Sequence, residues 1–310
     1  CVAVGYEALQ DQNRADSRNT AVGYQALTNL GSGVTYGGKN NTAVGYEAGG
    51  NGVFGGGTDG GSNVYGSDNT MLGYQSGYSI ITGQDNVIIG SFAGDALDEG
   101  FSNVLMGKHA GGAMTDNNYN IAIGAYALST VADDADYCVA IGHAALTAQT
   151  ANVKNTAIGG LAGDSITTSD GNTLVGYLAG ATLDTSGNGQ QNVAVGHAAM
   201  NASKGSQNVA IGYGALDAGG IANYNVCIGH SAGTDLDDGP GNVLIGRQAG
   251  AAMTTGDYNV AIGYQAADAM VGECNRNIAI GRNALGAEAS GGDDSVAIGD
   301  GALAAQNDAS

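Results

Sequence analysis

Tryptophan is absent from these 310 residues, proline occurs once and phenylalanine three times. That excludes a core built round large aromatic side chains. The apolar material is mostly Ala, Val, Ile and Leu, small enough to pack in thin layers. Basic residues are scarce too: nine Lys and Arg stand against 29 Asp and Glu, a formal net charge of −20. Such a balance opposes binding to nucleic acid or anionic lipid, since both are held by positive side chains that release counterions. No apolar run approaches the roughly 18–20 residues of a membrane helix, so no membrane insertion is expected in this segment.

Glycine, by contrast, is plentiful at 56 residues. The Gly-X-Y period of collagen is missing, and glycine at this level without any period would indicate disorder. A different period is present. The motif Asn-Val-Ala-Ile-Gly-x-x-Ala-Leu/Gly, as in Asn208–Leu216, recurs seventeen times, usually every 17 or 18 residues. Its central glycines are 5, 23, 45, 73, Gly90, Gly107, Gly124, 142, 159, 176, 196, Gly212, 229, Gly246, Gly263, 281 and 299. Segments between motifs are polar and turn-like. Segment 103–120 matches 242–259 at an offset of 139 residues, or eight coils, and block duplication of this kind lengthens solenoids.

These features predict an all-β chain: a parallel β-solenoid of about 17 coils running continuously over 1–310. Seventeen coils at about 4.8 Å each would make a rod of roughly 80 Å. The Gly-rich stretch at about 50–68 reads as a degenerate coil or an insertion. Cys1-Val-Ala-Val-Gly5 lies inside a repeat, as Cys138-Val-Ala-Ile-Gly142 does, so the chain reads as a piece of a longer array.

With the central Gly as position zero, position −3 is always Val, Ile or Thr and position −1 always Val, Ile, Leu or Met. Two apolar residues at period two define a strand face, read here as the coil interior. Position −2 points the opposite way and is also always apolar. It is Ala in eleven copies and bulkier in six: Met71, Ile88, Leu105, Leu174, Cys227 and Leu244. Each bulky −2 residue is followed by Gly at +4, whereas every Leu or Met at +4, such as Leu216, accompanies Ala at −2. This is volume compensation in a close-packed space. A second buried face needs a cover, so the sequence predicts self-association through the −2/+4 face, most simply a homotrimer; a monomer whose coil folds round both faces is the alternative.

Position −4 is Asn in fourteen copies, among them Asn86, Asn103, Asn120, Asn208, Asn242 and Asn259. Stacking would align them in a hydrogen-bonded ladder; an independent Asn turn at each strand start is the alternative. The central glycines are expected to adopt a backbone conformation closed to other residues, or to allow a neighbouring backbone to approach.

The repeat Asn/Ser-Val-Ala-Ile-Gly-x-x-Ala, with Ser295–Gly299 its nearest copy, resembles the head repeat of YadA-like trimeric autotransporter adhesins. It is similar to repeats of bacteriophage tail fibres as well, and the resemblance covers the whole chain. It implies a left-handed parallel β-roll, three chains side by side, and attachment to a cell-surface glycan or protein receptor, outside the cell or on a virion. The repeat here is longer than the family's, which lengthens the outer loop. A structural filament without a specific ligand is the alternative reading.

Chemistry is sparse. His109, His143, His197 and His230 follow the central Gly, and no two lie in adjacent coils. No nucleophile–base set or phosphate loop is recognisable, so no enzyme activity is expected. The cysteines read as structural, although Cys227 on an oligomer axis could meet its own copies. Calcium is the one cofactor that suggests itself, through Asp95-Ala-Leu-Asp98-Glu99, Asp235-Leu-Asp237-Asp238, Asp133-Asp134 and Asp293-Asp294. A solvated acidic surface that keeps a long rod soluble is the preferred reading, so no cofactor is expected. The tyrosines at +1 (Tyr6, Tyr24, Tyr46, Tyr74, Tyr177, Tyr213 and Tyr264) are candidates for stacking on sugars or on one another.

Overall fold

The structure, a computed structural model, describes residues 1–10, 18–29, 38–51, 66–131, 135–150, 154–183, 189–286 and 292–304. Asp133-Asp134 and most of the 50–68 segment fall outside the described residues. The chain forms two compact units, Cys1–Lys154 and Asn155–Ser310. All seventeen expected strands are present, each three residues long, and no described residue is helical. The first unit carries eight, β1 (Val2–Val4) to β8 (Val139–Ile141). The second carries nine, β9 (Thr156–Ile158) to β17 (Val296–Ile298). Within each unit every strand pairs in parallel with the next one in sequence, in an unshifted register that places −3 on −3, −2 on −2 and −1 on −1. Each unit is therefore a parallel β-solenoid.

The strand faces are the reverse of the sequence expectation. Every −2 residue from Ala21 to Ala297 is buried within a single chain, whereas no −3 or −1 residue is. A three-residue strand has one inward position, its middle one. Both faces are apolar, so hydropathy alone cannot tell inside from outside. The −2/+4 pair thus belongs to the coil interior and cannot be an oligomer interface.

Volume compensation operates inside each chain. A Cβ built on Gly180 would lie 2.7 Å from Leu174 Cδ2, and one on Gly250 would lie 2.9 Å from both Cδ atoms of Leu244. The bulky −2 side chain fills the space where a +4 side chain would begin. Position +7 joins the exchange. Where +4 is Gly, the fully buried Ile80, Leu97, Met114, Ile166, Leu183 and Met253 reach into the same layer. Gly77, Gly111 and Gly180 would each put a Cβ within 2.9 Å of that side chain.

Backbone geometry explains the glycines. Gly212 has φ of +140°, and a Cβ there would sit 2.3 Å from the carbonyl oxygen of Gly229 in the next coil. Both reasons for glycine, positive φ and close backbone approach, hold at once. The turn that follows is left-handed at +2 and +4 in every coil, even where the residue is Leu27 (φ 50°), Phe92 (56°) or Leu216 (50°). An L-residue in that region costs roughly 1–2 kcal/mol. Hydrogen bonds between coils offset it. The Gln25 N–H donates to the Tyr6 carbonyl at 2.8 Å and the Leu27 N–H to Ala48 at 3.0 Å.

The asparagines at −4 form a buried ladder. Asn259 donates its backbone N–H (2.8 Å) and its Nδ2 (3.0 Å) to Oδ1 of Asn242. Nδ2 of Asn242 in turn donates to Asn225 Oδ1 and to the loop carbonyls of Gly239 and Gly256. The same pattern links Asn69, Asn86 and Asn103 in the first unit, and Asn120 continues it through its backbone N–H, with its Nδ2 donating to the Ala135 carbonyl.

Candidate functional site

Three surface features distinguish the solenoid: an outward sheet face, rows of rings beside it, and acidic loops. The outward face is the −3/−1 stripe of Val, Ile, Leu, Met and Thr. It runs along both units with two side chains per coil, and none of them is buried. β-branched residues suit such a pleated surface, but water does not suit them. A continuous apolar stripe marks an interaction surface, unlike scattered exposed residues.

The tyrosines at +1 stack on one another. Tyr6, Tyr24, Tyr46 and Tyr74 have ring centroids 5.0–5.2 Å apart and planes within 14° of parallel. The row then passes to +2 residues through Phe92, His109 and Tyr126, and closes on His143. Every coil of the first unit thereby supplies one ring. In the second unit Tyr177, His197, Tyr213 and His230 form a shorter row, and the Arg247 guanidinium lies 5.7 Å over the Tyr264 ring. Tyr24, Tyr46 and Tyr213 are stacked on both sides, so solvent meets their edges and hydroxyls. Tyr74 and Tyr126 are stacked on one side and meet Phe92 and His143 edge-on.

Beside the first tyrosines runs a column of alternating Glu and Gln. Gln25 Nε2 donates to Glu7 Oε2 and Gln75 Nε2 to Glu47 Oε2, each at 2.6 Å. Hydrogen bonds to Glu7 and Glu47 push the Tyr6 and Tyr46 hydroxyls above the ordinary phenol value. A second ring group, Phe101, Tyr119 and Tyr137, projects from the loops near the Asn ladder.

The described acidic loops gather no metal site. Among the described residues no three His, Cys, Asp or Glu side chains converge on a point where a cation could sit. Asp95 is raised above the usual carboxylate range by burial, as is Asp98, to whose shift Glu99 and Asp116 add. Asp257 is raised likewise by burial, with Asp238 and Glu273 adding to it. Asp293 and Asp294 instead pair with Arg276, at 3.2 and 2.7 Å.

Cys227 lies in the coil interior, where burial pushes its thiol up to about 12. Its copies therefore cannot meet on an oligomer axis. Cys138 accepts a hydrogen bond from buried Gln149 at 2.8 Å, and Cys274, although in a loop, is buried. No described helix is long and apolar enough to cross a membrane.

No family model matches this sequence, and no curated protein matches it. The surface geometry therefore carries the functional argument.

Sequence reasoning located the +1 tyrosines but missed the rest of the rows. His109, Phe92 and Tyr126 stand at +2, and a tally of rings at +1 or +2 coil by coil would have found them. It also missed Phe101, Tyr119 and Tyr137, although Tyr119 and Tyr137 both stand five residues before the central Gly and the same alignment would have shown them.

Proposed function

We propose that this chain is a segment of an extracellular attachment fibre, on a cell surface or a virion, whose coils associate with further copies of the same chain. The observation that carries this reading is the outward −3/−1 face, an apolar stripe uncovered along the full sheet of each unit. A second copy presents the same stripe in the same register, so identical chains suit one another as covers. The repeat's resemblance to YadA-like heads and phage tail-fibre repeats favours three chains side by side in a left-handed roll. The net charge of −20 keeps a long fibre soluble and disfavours nucleic acid as a partner. A cell-surface glycan or protein is the receptor class that suits an attachment fibre. No catalytic role is assigned.

Light scattering coupled to size exclusion tests the association. The expected mass is three times the 30.5 kDa chain. A monomeric mass would sink the proposal. Ile211→Glu with Val226→Glu, both on the outward face, should convert the trimer to monomer while leaving the far-UV spectrum unchanged. A chain that polymerises end to end and binds no receptor would instead be a structural filament.

A further inference from the structure

The outer turns of the first unit contain a polar notch of about 320 Å³, within the size range of small-molecule sites. Its shape comes from position +5. That position is Thr28 in one coil, Gly50 in the next and Tyr78 in the third, so the missing side chain opens a gap between hydroxyl and ring. Glu7 and Glu47 line the same notch, each fixed by one Gln amide at 2.6 Å. The floor holds an anomaly. Thr28 is only 9% exposed, and its Oγ1 is buried without a hydrogen-bond partner. A buried hydroxyl left unpaired is unfavourable, and native structures rarely tolerate one without a reason.

We propose that this notch binds one residue of a neutral saccharide, with Thr28 Oγ1 hydrogen-bonding a sugar hydroxyl. The chemistry of the walls selects that class. Among the described residues no Lys or Arg lines the notch, which disfavours phosphate, sulfate and sialic acid. The carboxylates of Glu7 and Glu47 are immobilised acceptors suited to paired hydroxyls, and Gln25 adds an amide that both donates and accepts. Tyr78, outside the stacked row, supplies a ring wall. This site deepens the attachment reading and rests on it for its biological sense, although its geometry is independent of oligomeric state.

The test is saturation-transfer NMR on the whole chain with gluco-, galacto-, manno- and deoxy-hexoses at millimolar concentration, followed by a printed array of their oligosaccharides. Sialylated and phosphorylated glycans and a linear diamine serve as comparators. Thr28→Val should weaken binding of the best neutral sugar about tenfold, and Tyr78→Ala should weaken it too. In the free protein Thr28→Val should melt at the same temperature or higher, because it removes an unpaired polar group. The proposal is overturned if no neutral sugar binds, if only a comparator binds, if Thr28→Val binds as the parent does, or if that variant melts lower. A trimeric mass without sugar binding would reject this site and spare the fibre. Sugar binding by a monomer would do the reverse.

Discussion

Replacing Ala210 with Leu places a second large side chain in the layer already filled by Leu216, and both positions are fully buried. The coils that carry Leu at −2 show what must follow. There the Leu Cδ atoms stand 2.7–2.9 Å from where a +4 Cβ would be, against a comfortable carbon separation of about 3.5–4.0 Å. Both side chains cannot keep their rotamers, and overpacking of this kind costs about 1–3 kcal/mol. Leu216→Gly alone empties the layer and should cost about 2–4 kcal/mol, the lower part of that range reflecting relief of the left-handed φ at Leu216. The double variant recreates the Leu244/Gly250 pair and should cost less than either single change. It should not recover fully. The Leu244 coil also buries Met253 at +7, whereas the equivalent residue here is the exposed Gly219. Long repeat arrays need not unfold in two states. The cycle is therefore best read from urea midpoints together with amide exchange at β12 (Val209–Ile211) and its neighbours. Additive single effects, or a silent Ala210→Leu, would refute the packing argument.

Three further outcomes follow from the same geometry. Gly212→Ala meets a backbone carbonyl at 2.3 Å and a φ of +140°, so it should destabilise by more than about 4 kcal/mol and show lost protection in the adjoining coils by hydrogen exchange. Asn242→Asp replaces an Nδ2 that donates to Asn225 Oδ1, Gly239 O and Gly256 O with an acceptor facing acceptors. Its melting temperature should fall several degrees at neutral pH and recover partly in acid, and equal losses at both pH values would count against the ladder. Burial raises the carboxyl groups of Asp95, Asp164, Asp217 and Asp268 above their ordinary value. The folded state therefore holds protons that the unfolded chain has released, and stability should rise as pH falls from 7 toward the unfolded value of about 4. Below that it should decline, because Arg276 and Arg282 hold Asp294 and Asp300 below the usual range. A melting temperature that falls steadily from pH 7 downward would contradict this.

The fold class was legible because its signal repeats. One coil read alone is ambiguous, but seventeen copies aligned on the central Gly expose strand, turn and interior at once. The Asn ladder and the paired volumes of Leu105/Gly111 and Leu174/Gly180 are visible in the same alignment. The inside of the strand was not. Val209 and Ile211 are more hydrophobic than Ala210, and only the three-dimensional closure of the coil reveals that Ala210 is the inward residue. The left-handed turn was hidden as well, because Leu27 and Leu216 stand where backbone preference alone would put Gly. There interior packing outweighs local strain. Thr28, Gly50 and Tyr78 all stand at +5 in that alignment, but the gap between them opens only once the coils are stacked.

The thinness of the interior bears on why copies should associate. The apolar interior of each coil comes mostly from its −2, +3, +4 and +7 side chains, and the exchange among them keeps at most about two of these large. Fully burying one such side chain contributes roughly 1.5–3 kcal/mol, while every ordered residue of the coil loses about 1–2 kcal/mol of backbone entropy. Inter-coil hydrogen bonds, the Asn ladder and the ring rows carry part of that difference. The two side chains at −3 and −1 are as large as those inside, so covering the outward face would about double the large apolar groups buried per coil. Ile211→Glu with Val226→Glu should accordingly lower the melting temperature as well as the mass. If the monomer it produces melts where the parent does, each coil is self-sufficient and the stripe serves some other contact.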